Sequence, residues 1–133
     1  NNFAEDEGTV DRPIGRDPKN RMRNAVTDLN SRHAVTHYTV KERFGRFTLI
    51  EAKLETGRTH QIRVQFASRQ LPLLGDIRYG CKDPLCDVAL WSYRLGLRHP
   101  KTGQALAFCQ PPPAAYPWSL FAGTITPDLP PLA

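Results

Sequence analysis

The sequence predicts an α+β fold, in which a mixed, mostly antiparallel sheet packs against one flanking helix. Period-two alternation of apolar and polar residues recurs in several short segments, which is typical of half-buried strands. One central stretch instead repeats its apolar residues at three-to-four spacing, which is typical of a helix. With 133 residues, 40% hydrophobic and 23% charged, the chain is predicted to form one domain at most.

The two ends of the chain differ from its middle in composition. Residues 1–11 are acidic and are predicted to be an irregular lead-in. Residues 12–24 combine prolines, a glycine and basic residues, which predicts a loop with a positive face. Residues 111–133 are rich in proline, so we expect a tail without regular structure, anchored by Trp118 and Phe121.

Two hairpins are predicted from alternation. The first joins a strand at Tyr38–Phe44 to one at Phe47–Leu54, with its turn near Gly45. The second consists of a strand at Trp91–Leu97, a turn at His99–Gly103 and a strand at Ala105–Cys109.

The predicted helix lies between the hairpins, from about His60 to Arg69. Thr59 is the predicted N-cap, because threonine oxygens accept hydrogen bonds from the free backbone N–H groups of a helix start. Ile62 and Phe66 share one face, and the stem of Arg69 extends it. Leu71 and the proline after it are predicted to stop the helix.

The charge balance indicates an anionic partner. The net charge is +5, from 18 Lys and Arg against 13 Asp and Glu, and 13 of the 18 are Arg. Arginine suits bidentate phosphate contacts, so the bias favours nucleic acid or another polyanion. The chain has no apolar run near the ~20 residues of a membrane span, and its odd count of three cysteines fits a reducing, cytoplasmic setting. Cys81 and Cys86 lack a second ligand pair, so no metal is predicted.

The segment Thr56–Arg63, with the sequence TGRTHQIR, is the strongest candidate for chemistry. A strand ends, a glycine turns and a helix begins, and free backbone N–H groups at a helix start attract anions. Arg58 precedes that start, and Arg63 lies one helical turn beyond Thr59. The segment predicts a corner that binds phosphate or carboxylate. The alternative is a capped helix whose arginines are only solvated.

The run LETGRTHQIRVQFASRQLPLLGDIRYG, Leu54–Gly80, resembles the third sequence motif of RluA-type RNA pseudouridine synthases. RPIGRDPKNRMRNAV, Arg12–Val26, resembles the basic loop of that family, and LRHPKTG, Leu97–Gly103, a later strand and turn. The resemblance covers residues 8 to 121. Gln65 departs from it, since members often have His there, and Leu90-Trp91-Ser92 stands where members have Leu-His-Ala.

The resemblance implies isomerisation of uridine to pseudouridine in structured RNA, ribosomal or transfer, without a cofactor or metal. Arg63 matches the arginine that pairs with the family's catalytic aspartate, and an adjacent cation favours a charged carboxylate. Supporting or RNA-contacting roles fall to Arg58, Thr59, His60 and Gln61. Further phosphate contacts are predicted at Arg16, Lys19, Arg21 and Arg23. Residues that shape the site are Gly57, Gly75, Asp76 and Tyr79, with Asp76 given a structural role.

No run in residues 1–133 matches the family's His-Arg-Leu-Asp segment, which carries the nucleophile. We therefore expect the chain to be the C-terminal portion of a single catalytic domain, a monomer that is inactive alone, with the nucleophile preceding Asn1. A non-catalytic RNA-binding module is the first alternative. A domain that binds acidic protein partners is the second, and it predicts no preference for RNA over heparin.

Overall fold

The structure is a computed structural model that describes residues 3–20, 22–82 and 86–125. The chain divides into two compact units, Asn1–Ala89 and Leu90–Ala133. The regular elements, in chain order, are β1 (Glu7–Asp11), β2 (Ile14–Arg16), β3 (Asn24–Val26), β4 (Val35–Phe44), β5 (Phe47–Leu54), α1 (Gln61–Ser68), β6 (Arg94–Arg98) and β7 (Ala105–Cys109). Single 3₁₀ turns lie at Ile77–Tyr79 and Trp118–Phe121. The α+β prediction is confirmed.

The main sheet of the first unit has the order β1-β4-β5, with both pairings antiparallel. The predicted hairpin is confirmed as β4 and β5, and Gly45 forms its turn with a φ of 58°, a value that glycine adopts without steric cost. The prediction of an irregular lead-in is wrong, since β1 pairs with β4 over its whole length. Val10 anchors β1 because its side chain is only 3% exposed.

The prediction of a loop at residues 12–24 is wrong, because two short strands form here. Strands β2 and β3 pair with each other, with Ile14 opposite Val26. Between them, Asp17 Oδ1 accepts a hydrogen bond from Lys19 N at 2.8 Å, and Asp17 N donates to Arg23 O at 2.9 Å. An aspartate that binds backbone two residues on is a turn-forming arrangement, and here it closes a hairpin.

Helix α1 begins at Gln61, not at the predicted Thr59 cap. His60 is its N-cap, in the left-handed region with a φ of 57°, and it makes no side-chain capping bond. Instead, Gln61 Oε1 accepts a hydrogen bond from Arg58 N at 3.0 Å. The first residue of the helix therefore fixes the turn that precedes it.

The helix is buried between the main sheet and the β2–β3 hairpin. Phe66, which is fully buried, packs with Val10 and Tyr38 of the sheet, as the predicted helix face requires. Val64 packs with Ile14 and Tyr79 on the other side. Two apolar surfaces, rather than one stripe, thus hold the helix, since both neighbouring layers cover it.

Buried polar side chains join α1 to β4. Thr36 Oγ1 donates to Gln65 Oε1 at 2.6 Å and accepts from Gln61 Nε2 at 2.9 Å. Gln65 Nε2 then donates to the carbonyl oxygens of Arg12 and Ala34, at 3.0 and 2.9 Å. Gln65 and Thr36 are fully buried, so these bonds offset the cost of removing their amide and hydroxyl groups from water.

The second unit is built on the β6–β7 hairpin, which confirms the predicted turn at His99–Gly103. The first strand of this hairpin is shorter than predicted, because it begins at Arg94 rather than at Trp91. The indole Nε1 of Trp91 donates a hydrogen bond to Gln110 O at 2.8 Å. Phe121 is buried as expected, within a 3₁₀ turn. Residues 126–133 of the predicted tail lie outside the described residues.

Candidate functional site

Arg63 and Asp76 form the central ion pair of the predicted site. Arg63 Nε lies 2.9 Å from Asp76 Oδ2, and Nη2 lies 2.9 Å from Oδ1. The Asp76 side chain is fully buried and that of Arg63 is 19% exposed. The hydrogen bonds to Asp76 raise the pKa of Arg63 above its ordinary value. The pair ties α1 to the turn before Ile77 and keeps the guanidinium in one orientation.

Tyr79 lies at the meeting point of the helix start, the ion pair and the β2–β3 hairpin. Its ring centroid is 5.0 Å from the Cζ of Arg63, within cation–π range. Its hydroxyl oxygen lies 2.8 Å from His60 Nδ1 and accepts a hydrogen bond from Asn24 N at 3.3 Å. The side-chain amide nitrogen of Asn24 also donates a hydrogen bond to Thr59 O, at 2.9 Å. Hydrogen bonds therefore join the Thr56–Arg63 segment to residues 12–24, which are called the basic segment below.

The surroundings of His60 favour the neutral imidazole. Burial lowers its pKa below the ordinary value, and the positive charges of Arg63 and Arg78 lower it further. The negative charge of Asp76 opposes the shift but is the smallest contribution. A neutral imidazole bonded to Tyr79 through Nδ1 can still accept or donate a proton at its other nitrogen.

Two reciprocal hydrogen bonds join the basic segment to the 3₁₀ turn at Ile77–Tyr79. This pair of bonds is called the clasp below. Arg23 Nη1 donates to Arg78 O at 2.8 Å, and Arg78 Nη2 donates to Met22 O. Arg23 Nε also pairs with Asp17 Oδ2 at 3.0 Å, and the backbone N–H of Lys19 and this pair lower the pKa of Asp17. Arg23 is predicted to contact phosphate. In the structure its guanidinium pairs with the Asp17 carboxylate and donates a hydrogen bond to the Arg78 carbonyl.

Arg58 and Gln61 differ in what their side chains can reach. Arg58 Nε donates to His33 O at 2.8 Å, and the side chain is half-buried. Gln61 is only 3% exposed, and its amide makes its remaining bonds to Thr56 Oγ1 at 2.7 Å and Val35 O at 3.0 Å. A contact between Gln61 and RNA would have to replace these bonds, whereas Arg58 needs no such exchange.

The two glycines predicted to shape the site stand in different surroundings. Gly75 has a φ of 80°, and a Cβ there would lie 2.3 Å from Asp87 O and 2.5 Å from Cys86 O. Gly57 has no atom within 4 Å of such a Cβ. The close backbone approach explains glycine at position 75, while the local geometry gives no reason for it at position 57.

The remaining predicted contacts lie at the edge of this cluster. Arg16 ends β2, opposite Asn24, and Lys19 is exposed in the turn of the hairpin. Arg21 falls outside the described residues. Sequence reasoning missed Asn24 and Arg78, which hold the basic segment in place. The Asp-Pro pair at Asp17 was the available signal, because it predicts a turn that would fold this segment back.

Within residues 3–20, 22–82 and 86–125, no group of three or more His, Cys, Asp or Glu side chains could hold a metal ion. Cys81, Cys86 and Cys109 form no disulfide bond. No helix in the described part of the chain is both long and apolar enough to cross a membrane. Around Tyr79, Nη1 of Arg63 makes no hydrogen bond to the described residues, so this nitrogen can bind an anion.

Comparison with known proteins identifies the family. The sequence model described as RNA pseudouridylate synthase matches residues 2–68, about half of the chain. An uncharacterized RNA pseudouridine synthase of Bacillus subtilis is 47% identical over 113 residues, covering 84% of this chain and 37% of that protein. The ribosomal large subunit pseudouridine synthase D of Neisseria meningitidis serogroup A is 41% identical over 120 residues, covering 80% and 32% respectively. The chain therefore spans about a third of these relatives.

The fold agrees with this assignment. Human RNA pseudouridylate synthase domain containing 1 superposes with a TM-score of 0.76 at 24% identity, over 98% of this chain and 58% of the human chain. At that identity, the likeness concerns the fold alone. The match of the family model to residues 2–68, supported by the curated relatives, shows that this chain belongs to the RNA pseudouridylate synthase family.

Proposed function

We propose that the protein to which this chain belongs isomerises uridine to pseudouridine in structured RNA, and that this chain supplies part of the RNA-binding and positioning surface. The supporting observation is the cluster of His60, Arg63, Asp76 and Tyr79, which brings together the residues that resemble the family's third motif. The relatives named as acting on the ribosomal large subunit favour ribosomal RNA as substrate, and their bacterial sources favour a cytoplasmic protein.

Within this proposal, Arg63 is a positioning residue. Asp76 holds two of its nitrogens, while Nη1 makes no hydrogen bond to any of the described residues. A nucleophilic aspartate from another segment would be bound by that nitrogen, as the family resemblance implies for Arg63. The cation would keep the carboxylate ionised, because a nearby opposite charge favours the charged form.

Arg58, Thr59 and the basic residues Arg16 and Lys19 would then face the RNA backbone. Phosphate contacts supply affinity without reading sequence, so they suit an enzyme whose target is chosen by RNA shape. A flipped uridine needs a pocket that replaces its lost stacking and pairing, at a cost of a few kcal/mol. The monomeric state and the absence of any cofactor remain predictions.

The test is a chimera in which this chain replaces the matching segment of the Neisseria meningitidis relative. Ribosomal RNA carrying tritium at uridine C5 would be the substrate, because C5 loses its hydrogen when it bonds to ribose. We expect tritium release by the chimera and none by the 133-residue chain alone. A chimera that is folded and binds RNA but releases no tritium would contradict the proposal.

A further inference from the structure

The arginines around Tyr79 differ in how their charge is compensated. Arg23 pairs with Asp17, and Arg63 pairs with Asp76. Arg78 instead binds a backbone carbonyl, and no carboxylate among the described residues forms an ion pair with it. Among the described residues, no carboxylate therefore compensates its positive charge, which lies at the edge of the predicted site. Arg78 lay outside the set of RNA contacts predicted from sequence.

The clasp holds Arg78 in place but occupies one of its three guanidinium nitrogens. Arg23 Nη1 holds the Arg78 carbonyl at 2.8 Å, while Arg78 Nη2 holds the Met22 carbonyl in return. Nε and Nη1 of Arg78 make no hydrogen bond within the described part of the chain. An arginine anchored through one nitrogen loses less side-chain freedom when it binds a phosphate, so less of the binding free energy is spent on ordering it.

The surroundings of Arg78 favour a nucleotide over a bare anion. Met22, whose carbonyl it binds, is 78% exposed, and the adjoining Ile77 is 56% exposed. Exposed apolar side chains beside a fixed cation can contact a base or sugar while the cation binds phosphate. Tyr79 follows Arg78 directly and bonds to His60, so this surface borders the candidate site.

We propose that Arg78 binds an RNA phosphate, held in position by its clasp with Arg23, and that Met22 and Ile77 contact the adjoining nucleotide. The inference rests on the proposed function for its choice of RNA as the ligand. It adds an RNA-contacting residue outside the Thr56–Arg63 segment.

Two substitutions separate binding from structure. Arg78→Gln removes the charge, and its amide is too short to replace the bond from Nη2 to the Met22 carbonyl. Arg78→Lys keeps the charge but loses the planar guanidinium. If Arg78 serves only as a clasp, the Gln variant melts at a lower temperature but binds RNA with the wild-type salt dependence. If it binds phosphate, the Gln variant loses RNA affinity and the Lys variant retains part of it.

The measurement is fluorescence anisotropy of a labelled RNA stem–loop with uridines in its loop, titrated with the full chain over a range of salt concentrations. Loss of one phosphate contact lowers the slope of log affinity against log salt by about 0.7 to 0.9. At about 0.1 M salt, this corresponds to roughly five- to eightfold weaker binding. Arg46→Gln is the matched control, since Arg46 is exposed in the β4–β5 turn, where it stacks on Phe47. It should change the slope little.

Equal weakening by Arg78→Gln and Arg46→Gln would overturn the proposal, because it would indicate only a lost net charge. Unchanged salt dependence of binding by Arg78→Gln, whatever its melting temperature, would overturn it as well. Heparin in place of RNA should bind Arg78→Gln and Arg46→Gln alike. The chimera assay reports separately on the proposed function, because tritium release can occur whether or not Arg78 contacts RNA.

Discussion

Arg63 and Asp76 are joined by two parallel hydrogen bonds of 2.9 Å, and Asp76 is fully buried. The sequence resemblance assigns Arg63 a partner outside this chain, yet a carboxylate 13 residues away occupies two of its nitrogens. Asp76 therefore determines the direction in which Arg63 presents its remaining donor. We expect the loss of either residue to change the stability of the chain as well as the proposed activity.

Arg63→Ala should destabilise the chain by about 3 kcal/mol, because it leaves a buried carboxylate without its partner. Urea unfolding followed by circular dichroism would measure the change. Asp6→Ala is the control, because it removes only the ion pair with Arg43, in which the Asp6 side chain is 87% exposed, and exposed pairs contribute less than about 1 kcal/mol. Similar unfolding midpoints for both variants would contradict the buried-pair interpretation.

This prediction also governs how activity measurements are read. Loss of activity in Arg63→Ala alone would not separate catalysis from folding. Arg63→Lys keeps a cation beside Asp76 but cannot form both parallel bonds, so a stable Lys variant with lower activity would indicate positioning by the guanidinium.

Gly75→Ala should destabilise the chain by several kcal/mol, whereas Gly57→Ala should change its stability by less than about 1 kcal/mol. Position 75 has a left-handed backbone conformation, and a Cβ there would lie 2.3 Å from a backbone oxygen. A Cβ at position 57 would have no atom within 4 Å. Melting temperatures of the two variants test this directly. A tolerated alanine at position 75 would mean that the segment at Cys86 and Asp87 can move aside.

Long alternating segments made both hairpins predictable from sequence. Strands β4 and β5 span 10 and 8 residues, long enough for period two to stand out. Strands β2 and β3 span only 3 residues each, and charged residues around them conceal their pairing. Their hairpin depends on Ile14 and Val26 packing against α1, a contact that local sequence does not specify.

Several residues predicted for the site lie together in the structure, but their pairings were not predictable from the sequence. The N-cap is His60 rather than the predicted Thr59, and the left-handed His60 bonds to Tyr79, which lies 19 residues further along. Likewise, Asp76 was assigned to a turn, and its bond to Arg63 depends on how that turn packs against α1. Such contacts arise from tertiary structure, which residue spacing alone does not determine.

Thr36→Val should destabilise the chain by about 1 to 3 kcal/mol, because Gln65 Oε1 and Gln61 Nε2 would each lose a buried partner. Both bonds run to the Thr36 hydroxyl, at 2.6 and 2.9 Å. Thr39→Val on the same strand is the matched control, since Thr39 is exposed and its change should stay within about 0.5 kcal/mol. Equal effects of the two variants, measured by urea unfolding, would exclude the buried network as a source of stability.

His60 should make the stability of the chain depend on pH. Because burial and the charges of Arg63 and Arg78 lower its pKa in the folded state, its contribution is fully present above the unfolded pKa of about 6.5. That contribution is lost as pH falls below that value toward the folded pKa, since protonation then favours the unfolded chain. His60→Asn removes the titrating group and suits the left-handed backbone, because asparagine tolerates a positive φ. The melting temperature of the wild type should therefore fall more than that of the variant between about pH 7.5 and pH 5.5. An equal fall in both proteins would mean that His60 binds protons equally well in the folded and unfolded chains.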